Sequence, residues 1–228
     1  MNVAYNKDCM AAMREMSDLC FDLAVVDPPY GINISNNMGR RRGDQQSNYK
    51  PVEWDDAPPP LEYFAELRRV SKNQIIFGAN HFISRIPAAD SHCWICWDKK
   101  FSEEVSFASF ELAWTSFDRP CKRLTLSSIQ QDRIHPTQKP VALYTWIFSK
   151  FARPGERILD THLGSGSSRI AAWDAGLDFV GFEIDPDYFA AQERRFEEYT
   201  AQTSLFGGGG HSDHHDYFSD TTPGGRVK

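Results

Sequence analysis

Apolar residues recur along the chain in two spacings, short continuous runs and helical repeats, and the two kinds of segment alternate. The continuous runs predict strands near residues 3–6, 21–26, 74–80, 92–98, 107–116, 157–160 and 179–184. The helical spacing predicts helices at residues 9–16, 61–70, 141–151, 167–175 and 188–199. The run Phe21–Val26 is too apolar to leave one face in water, which favours a sheet covered on both sides. Alternating strands and helices predict an α/β fold with a doubly wound, mostly parallel sheet.

Three segments lack either spacing and set the predicted domain organisation. Residues 33–60 are polar and rich in Gly and Pro, so we expect a mobile loop. Residues 117–135 form a second, basic insertion. Residues 201–228 are too polar to build a core, so we expect a disordered tail. The sequence thus predicts one domain over residues 1–200, with two insertions and a tail.

Composition agrees with a single domain and excludes several classes of protein. The chain has 228 residues, 41% of them hydrophobic, which is sufficient for a sizeable core. Because it has neither a long apolar stretch nor a signal-peptide pattern at its start, we expect a cytoplasmic protein. The five scattered cysteines favour free thiols. Cys93 and Cys96 form a CxxC without a second pair, so we interpret them as buried strand thiols and predict no metal site.

The net charge of −6 is unevenly distributed. Residues 181–220 contain nine acids and two arginines, so the rest of the chain is close to neutral. Within that part, residues 33–50 and 119–139 are basic. An acidic protein with two basic segments remains compatible with nucleic-acid binding.

The predicted strand Phe21–Val26 ends in Asp27-Pro28-Pro29-Tyr30. A carboxylate at the end of a buried strand is costly unless it has partners. The two prolines fix φ and hold the backbone stiff beside it. An isolated motif of this kind would also fit a simple turn, so its meaning depends on the rest of the chain.

A second motif has the layout of a nucleotide pocket. A predicted strand ends at Asp160, Gly164 and Gly166 make a turn before a helix, and the next strand ends near Glu183. Glycines allow close approach of a ligand, and an acid on the following strand can accept ribose hydroxyls. The spacing is not GxGxxG and no Walker lysine follows, which favours S-adenosylmethionine over NAD or ATP.

Together the motifs resemble a known family. "DPPYGI", followed about 130 residues later by "LDTHLGSGSS", is similar to the S-adenosylmethionine-dependent DNA amino-methyltransferases, in the motif order of their permuted β class. "HPTQKP", "NKDC", "WDKKF" and "FELAW" extend the resemblance to residues 3–200. It implies a Rossmann-like methyltransferase fold with circularly permuted motif order.

The resemblance assigns catalysis to Asp27, Pro28, Pro29 and Tyr30. The Asp27 carboxylate and the Pro28 carbonyl would accept the two hydrogens of an exocyclic amine and make its nitrogen more nucleophilic. Tyr30 would provide a ring on which an extruded base stacks. Asp27 would then orient the amine rather than act as a strong general base.

The resemblance also implies cofactor contacts. Asp8 would meet the adenine amino group, Glu183 the ribose, and Lys139 the methionine carboxylate. The full predicted cofactor set is Asp8, Cys9, Thr137, Lys139, Asp160, Gly164, Ser165, Gly166, Ser167, Glu183 and Asp185. The chain departs from the family at Thr161 and His162, where the family usually has proline and an aromatic residue.

The implied substrate is double-stranded DNA, and "DPPY" favours adenine N6 over cytosine N4. The alternatives are an N4-cytosine enzyme, an RNA or protein amino-methyltransferase, and an inactive DNA-binding module. The predicted DNA contacts are Arg40, Arg41, Arg42, Gln45, Gln46, Lys50, Arg119, Lys122, Arg123 and Arg133. The resemblance further implies a bacterial or phage-type, nucleoid-associated restriction–modification or orphan methylase, and a possible homodimer.

The predicted tail contains Gln202-Thr203-Ser204-Leu205-Phe206. This peptide resembles those that dock on replication sliding clamps, with Gln202, Leu205 and Phe206 as the contacts. An apolar edge of the domain is an equally good interpretation of the Leu-Phe pair.

Overall fold

The computed structural model describes residues 1–32, 55–101, 108–130 and 133–206. The eight strands in this part of the chain are β1 (Asn2–Asn6), β2 (Phe21–Val26), β3 (Ser71–Phe77), β4 (Trp94–Asp98), β5 (Phe110–Thr115), β6 (Lys122–Thr125), β7 (Arg157–Asp160) and β8 (Asp178–Glu183). The α-helices are α1 (Cys9–Arg14), α2 (Leu61–Val70), α3 (Val141–Phe151), α4 (Ser167–Asp174) and α5 (Pro186–Phe206). Two short 3-10 helices, Ala79–His81 and Ile83–Arg85, follow β3.

The strands form one sheet in the order β1-β8-β7-β2-β3-β5-β4-β6. Five of the neighbouring pairs are parallel, and β5 is antiparallel to both β3 and β4. This confirms the predicted α/β fold with a mostly parallel sheet.

Alternation along the central strand separates the core into two layers. Leu23 and Val25 of β2 face a cluster that includes α3 and α4, whereas Ala24 and Val26 face a cluster that includes α1 and α2. Successive residues of a strand point to opposite faces, so a continuous apolar run is required when helices cover both. The sheet is therefore buried between two helical layers.

The topology brings several strand ends to one edge of the sheet, here called the carboxyl edge. β1, β2, β3, β7 and β8 are parallel and end at this edge. Because β5 runs the opposite way, it starts there, and its Ala113 pairs with Phe77 at the end of β3. Residues just after the parallel strands and at the start of β5 therefore converge.

Two segments differ from the elements predicted from the sequence. The basic insertion 117–135 contains a strand, β6, which pairs in parallel with β4. Helix α5 continues to Phe206 instead of ending near residue 199, so residues 201–206 belong to the helix and not to the tail. The clamp-like peptide therefore lies inside a helix, not beyond it. The remainder of the predicted tail, 207–228, lies outside the described residues.

Candidate active site

Asp27 follows directly after β2 and lies in a cleft at the carboxyl edge. Its Oδ2 is 2.6 Å from the Nζ of Lys139, and its Oδ1 accepts a hydrogen bond from the Tyr30 hydroxyl at 2.7 Å. The side chains of Asp27 and Lys139 are 15% and 6% exposed. Each carboxylate oxygen has two lone pairs, so both oxygens keep the capacity to accept a further hydrogen. The carboxylate is thus oriented by two partners and still able to bind a donor.

A second carboxylate, Glu111 of β5, shares both partners of Asp27. Its Oε1 is 2.7 Å from the Tyr30 hydroxyl and 2.7 Å from Lys139 Nζ, while its Oε2 is 2.9 Å from Lys99 Nζ. Two acids and two lysines therefore form one network around a single tyrosine hydroxyl. The matched charges offset part of the cost of removing each group from water.

The two carboxylates differ in their affinity for a proton. Burial raises the pKa of Asp27, and the attraction of Lys139 only partly opposes this rise. Burial also disfavours the charged form of Glu111, but Lys139 and Lys99 outweigh it, so its pKa lies below its ordinary value. Burial opposes the charged form of Lys139, yet Asp27 and Glu111 hold its pKa above the ordinary value. Of the two carboxylates, Asp27 therefore binds a proton more readily than Glu111.

The Tyr30 ring packs directly against Gly78, and a side chain at position 78 would displace the ring. A Cβ added to Gly78 would lie 2.1 Å from the Tyr30 ring, and Gly78 has φ +65°. The ring also stacks on His81, with 5.2 Å between ring centroids. The structure thus gives Tyr30 a role that the sequence did not suggest, because its hydroxyl joins Asp27 to Glu111. Stacking of a base on its ring stays a prediction.

The loop that carries Asp27 to Tyr30 is held by a buried acid from the end of the first insertion. Asp55 is 2% exposed, and its Oδ1 accepts hydrogen bonds from the backbone N–H groups of Tyr30 and Gly31 at 2.8 and 2.9 Å. Charge-assisted bonds of this kind are stronger than those between neutral groups. The last residues of the predicted mobile loop therefore fix the backbone of the Asp27 motif.

The Gly164–Gly166 turn lies beside the Asp27 cleft. Gly164 and Gly166 have φ of +52° and +73°, a region that other residues rarely adopt. The Gly164 N–H donates to Glu183 Oε2 at 2.8 Å, and the Asp185 N–H donates to Glu183 Oε1 at 2.9 Å. Both oxygens of Glu183 are thereby anchored, and each retains a lone pair for a ligand hydroxyl.

Buried polar residues support this turn from behind. Arg195 of α5 donates to the Ser165 carbonyl at 2.7 Å and to Ser167 Oγ at 2.9 Å. Asp160 accepts hydrogen bonds from Ser168 Oγ and the His162 N–H, and burial raises its pKa to about 7. Asp160 and Ser167, each 2% exposed, therefore shape the turn rather than form the surface of the cleft.

Two partly buried histidines, His135 and His162, line the cleft and were not predicted as site residues. Burial lowers the pKa of His135 and of His162 to about 4 each, so both rings are neutral at pH 7. His135 contacts the ring of Tyr188 edge-on, with 4.4 Å between centroids. His162 Nδ1 is 2.9 Å from Thr161 Oγ1, which in turn is 2.6 Å from the Tyr63 hydroxyl. The departure noted at Thr161 and His162 is thus accommodated by a polar contact with α2.

The structure brings most, but not all, of the predicted cofactor residues together. Those that line one cleft with Asp27 and Pro29 are Thr137, Lys139, Gly164, Ser165, Glu183 and Asp185. Asp8 instead caps α1 through the Ala11 N–H at 2.7 Å. Burial raises the pKa of the neighbouring Cys9 thiol to about 12, so it stays protonated.

The structure separates the predicted DNA-binding residues. Arg119 and Lys122 lie toward the edge of the sheet opposite Asp27, because Arg119 precedes β6 and Lys122 is its first residue, and β6 runs parallel to β4. Arg119 donates to the Lys150 carbonyl at the end of α3 and packs on the rings of Phe117 and Phe151. Contact of these two residues with DNA stays a prediction.

Arg123 and Arg133 are closer to the carboxyl edge, but both have protein partners. Arg123 pairs with Asp98 at 2.6 Å, and Arg133 donates to the Ser128 carbonyl at 2.6 Å. The other predicted DNA contacts lie outside the described residues, namely Arg40, Arg41, Arg42, Gln45, Gln46 and Lys50.

The described residues contain neither a candidate metal-binding cluster nor a helix that could cross a membrane. No group of three or more His, Cys, Asp or Glu side chains there could hold a metal ion. No helix there combines the length and the apolar character needed to cross a membrane. The five cysteines are free thiols. Cys93 is buried just before β4, whereas Cys96 lies in β4 but is only partly buried, so the interpretation of both as buried strand thiols holds only in part.

Comparison with known proteins finds a family match for the segment 92–194. Residues 92–194 match the N6_N4_Mtase family, described as DNA methylase. This segment is therefore similar to N6/N4 DNA methylases. It contains Glu111, Lys139, the Gly164 turn and Glu183, but not Asp27. A curated relative, the type II methyltransferase M2.MboI of Moraxella bovis, is 24% identical over 249 residues, covering 86% of this chain and 88% of its own. These matches support a DNA methyltransferase of the N6/N4 class.

Solved structures agree on the fold. The M1.HpyAVI–SAM complex superposes with a TM-score of 0.57 at 22% identity, covering 86% of this chain and all of its own. The PvuII DNA methyltransferase, described as cytosine-N4-specific, gives a TM-score of 0.60 at 13% identity and covers 88% of this chain and 91% of its own. At these identities the likeness shows the fold alone, which is that of Rossmann-like methyltransferases.

Proposed function

We propose that this protein is an S-adenosylmethionine-dependent DNA methyltransferase that methylates the exocyclic N6 of an extruded adenine. The observation that carries the proposal is the shared cleft: Asp27 and Pro29 line it together with Gly164 and Glu183. A catalytic acceptor and a nucleoside-binding acid are thus in one space, although they are far apart in the sequence. The match of residues 92–194 to DNA methylases supports DNA as the substrate.

The residues of the cleft fit the proposed cofactor. Glu183 has both oxygens anchored by backbone N–H groups and retains acceptors for two ribose hydroxyls. The Gly164–Gly166 turn precedes α4 and lets a ligand approach the backbone closely. Thr137 and Lys139 are the nearby groups for a carboxylate. When bound, the cofactor supplies an activated methyl group on a sulfonium.

Asp27 then prepares the amine by accepting its hydrogens. The lone pair of an exocyclic amine is delocalised into the base, so hydrogen bonds to Asp27 and to the Pro28 carbonyl favour a more pyramidal nitrogen. Holding the amine in line for transfer contributes most of the acceleration, and no strong base is required. The amine loses one hydrogen as a proton after it is methylated, and Asp27 is placed to accept it.

Adenine is the proposed base because the motif begins with Asp27. A second candidate is cytosine N4, which the fold likeness to the cytosine-N4-specific PvuII enzyme keeps in view. A digest of methylated DNA, analysed by mass spectrometry, distinguishes N6-methyladenine from N4-methylcytosine. Detection of N4-methylcytosine alone would overturn the adenine assignment.

Contacts with DNA are proposed for the first insertion. Its flanking residues Gly31 and Asp55 lie beside Tyr30, which supports a role for this insertion near the reaction site. Homodimerisation and clamp binding through Gln202, Leu205 and Phe206 stay predictions. For the clamp, retention of both wild type and Phe206→Ala by an immobilised clamp would exclude that peptide as the contact.

The test of the proposed function is transfer of a labelled methyl group from S-adenosylmethionine to unmethylated genomic DNA. We expect label in DNA with the wild type. The same reaction with RNA and with protein extract tests the alternative acceptors. Label in either of these but not in DNA would overturn DNA as the substrate, and no label in any of them would favour an inactive DNA-binding module.

A further inference from the structure

Glu111 belongs to neither of the two sequence motifs, yet it contacts the partners of Asp27 directly. It lies on β5, the strand that starts at the carboxyl edge, and its side chain is 14% exposed. A buried carboxylate usually needs an ion pair or several hydrogen bonds to remain charged. Glu111 has Lys99 and Lys139 at 2.9 and 2.7 Å and is therefore charged in this structure.

Hydrogen counting at the Tyr30 hydroxyl shows that the two carboxylates are linked. The hydroxyl has one hydrogen, but Asp27 Oδ1 and Glu111 Oε1 both lie 2.7 Å from its oxygen. Two oxygens at this distance need a hydrogen between them. The single Tyr30 hydrogen therefore serves one carboxylate at a time, and it is left to Glu111 once Asp27 itself carries a proton. The proton preference of Asp27 over Glu111 agrees with this arrangement.

We propose that Glu111 is a positioning residue for methyl transfer, which directs the Tyr30 hydroxyl and the Lys139 ammonium and thereby controls how Asp27 accepts hydrogen. This inference rests on the proposed function and adds a residue to it. Glu111 draws part of the Lys139 charge away from Asp27 and competes with Asp27 for the Tyr30 hydrogen. The Asp27 oxygens are then less neutralised by their partners and remain better acceptors for the amine.

The same contacts give the proton of the methylated amine a place to go. The amine N–H bond breaks and an Asp27 O–H bond forms. The proton stays on Asp27, whose O–H then donates a hydrogen bond to the Tyr30 oxygen while the Tyr30 hydroxyl donates to Glu111, so no other reactant is consumed.

Other titratable groups also influence Asp27 and stay unchanged in the test. They are Tyr63 of α2, Tyr144 of α3 and Asp160 of β7, each of which interacts electrostatically with Asp27. An effect of a Glu111 substitution on Asp27 is therefore measured against a constant background.

The test compares Glu111→Gln with Glu66→Gln. Glu66 is a matched control, because it also pairs with a cation, Arg69 at 2.8 Å, but lies on α2 away from the cleft. The first readout is the single-turnover rate of methyl transfer together with the cofactor Kd. The second is the titration of the Asp27 carboxyl carbon by NMR in the free protein, assigned with Asp27→Asn.

We expect Glu111→Gln to slow transfer by about tenfold to a hundredfold with a cofactor Kd within about twofold of wild type. Its Asp27 titration should move to lower pH, because the Glu111 charge that raises the pKa of Asp27 is gone. Lys99→Met keeps Glu111 and should move the Asp27 titration to higher pH. Glu66→Gln should change neither readout.

An unchanged Asp27 titration in Glu111→Gln overturns the inference even if the rate falls, because a purely structural loss would slow the reaction without that shift. If Glu111→Gln does not fold, the Lys99→Met variant is used to test the inference. An unchanged Asp27 titration in Lys99→Met then overturns it as well. Failure of the proposed function is a separate outcome. It appears as a wild type without methyl transfer, whereas the titration tests the network without any turnover.

Discussion

Two aspartates at the two ends of β2 have the same chemistry and opposite environments. Asp22, near the start of the strand, is 30% exposed, pairs with Lys72 at 2.7 Å and accepts the Arg157 N–H at 2.9 Å. Asp27, just past the end, is 15% exposed and pairs with Lys139 at 2.6 Å. The pKa of Asp22 is lowered, first by the Arg157 hydrogen bond and then by Lys72. The pKa of Asp27 is raised by burial.

The difference shows what distinguishes a structural carboxylate from a candidate catalytic one. Asp22 has a partly exposed lysine and a backbone donor, so its charge is fully satisfied by the fold. Asp27 has a lysine that a second acid, Glu111, also binds. A carboxylate that is buried and only partly neutralised retains the capacity to bind a substrate hydrogen. Perturbed acids of this kind favour functional sites, whereas strand-end ion pairs such as Asp22–Lys72 favour stability.

The largest difference between the two aspartates is expected when each is replaced by alanine in turn. We expect Asp27→Ala to lower the methyl-transfer rate by at least about a hundredfold, since it removes the proposed acceptor of the amine hydrogens. Asp22→Ala should keep the rate within about threefold, because it lies at the opposite edge of the sheet. Labelled-methyl transfer to DNA measures both, and cofactor binding by calorimetry verifies that each variant is folded.

Equal losses of activity in the two variants would contradict this prediction. The same result would indicate that Asp27 acts through stability alone, as Asp22 does.

Two glycines extend the comparison from the strand to the edges of the sheet. Gly78 and Gly176 both have φ +65°, but an added Cβ at Gly78 would meet the Tyr30 ring at 2.1 Å, whereas Gly176 has no atom within 4 Å of that position. Gly176→Ala should therefore cost only the backbone strain, about 1 kcal/mol of the free energy of unfolding. Gly78→Ala should lower the free energy of unfolding by a further ~1–3 kcal/mol, because the Tyr30 ring must move.

Urea unfolding of both variants measures these costs, and methyl transfer measures the functional effect. Gly78→Ala should also slow methyl transfer, since Tyr30 then no longer joins Asp27 to Glu111. Similar unfolding free energies for the two variants would show that the Tyr30 ring moves freely and that the close packing at Gly78 is unimportant.

The parts of the fold that were predictable from the sequence are those encoded by local pattern. The strand Phe21–Val26 and the helices at 61–70 and 141–151 have the predicted bounds, because their apolar spacing is continuous. The four residues of β6, Lys-Arg-Leu-Thr, have a single apolar position and bury only Leu124. Too few residues show the alternation for a strand to be recognised, and its pairing with β4 is not local.

The residues of the candidate site likewise include some that local pattern predicts and some that it does not. Asp27, the Gly164 turn and Glu183 follow predicted strands, so strand order alone places them at one edge. Glu111 was missed because its importance depends on β5 running antiparallel, which puts the start of that strand beside Asp27. Asp55 was missed because it lies in a segment without periodicity, and only its hydrogen bonds to the Tyr30 and Gly31 N–H groups reveal its role.

The smallest expected effect is the pH dependence of the stability that the Asp22 carboxylate contributes. Because the folded pKa of Asp22 is below its unfolded value of about 3.9, its charge stabilises the fold above that pH, and the contribution is lost as pH falls through the folded pKa. Asp22→Asn should therefore be less stable than wild type near neutral pH, by less than about 1 kcal/mol for so exposed a pair. The gap should close as pH falls below about 4. Urea unfolding of both proteins at a series of pH values measures the gap. A gap that stayed constant down to pH values well below the unfolded pKa would mean that the Asp22 carboxylate stabilises β2 through packing and hydrogen-bond geometry, not through its charge.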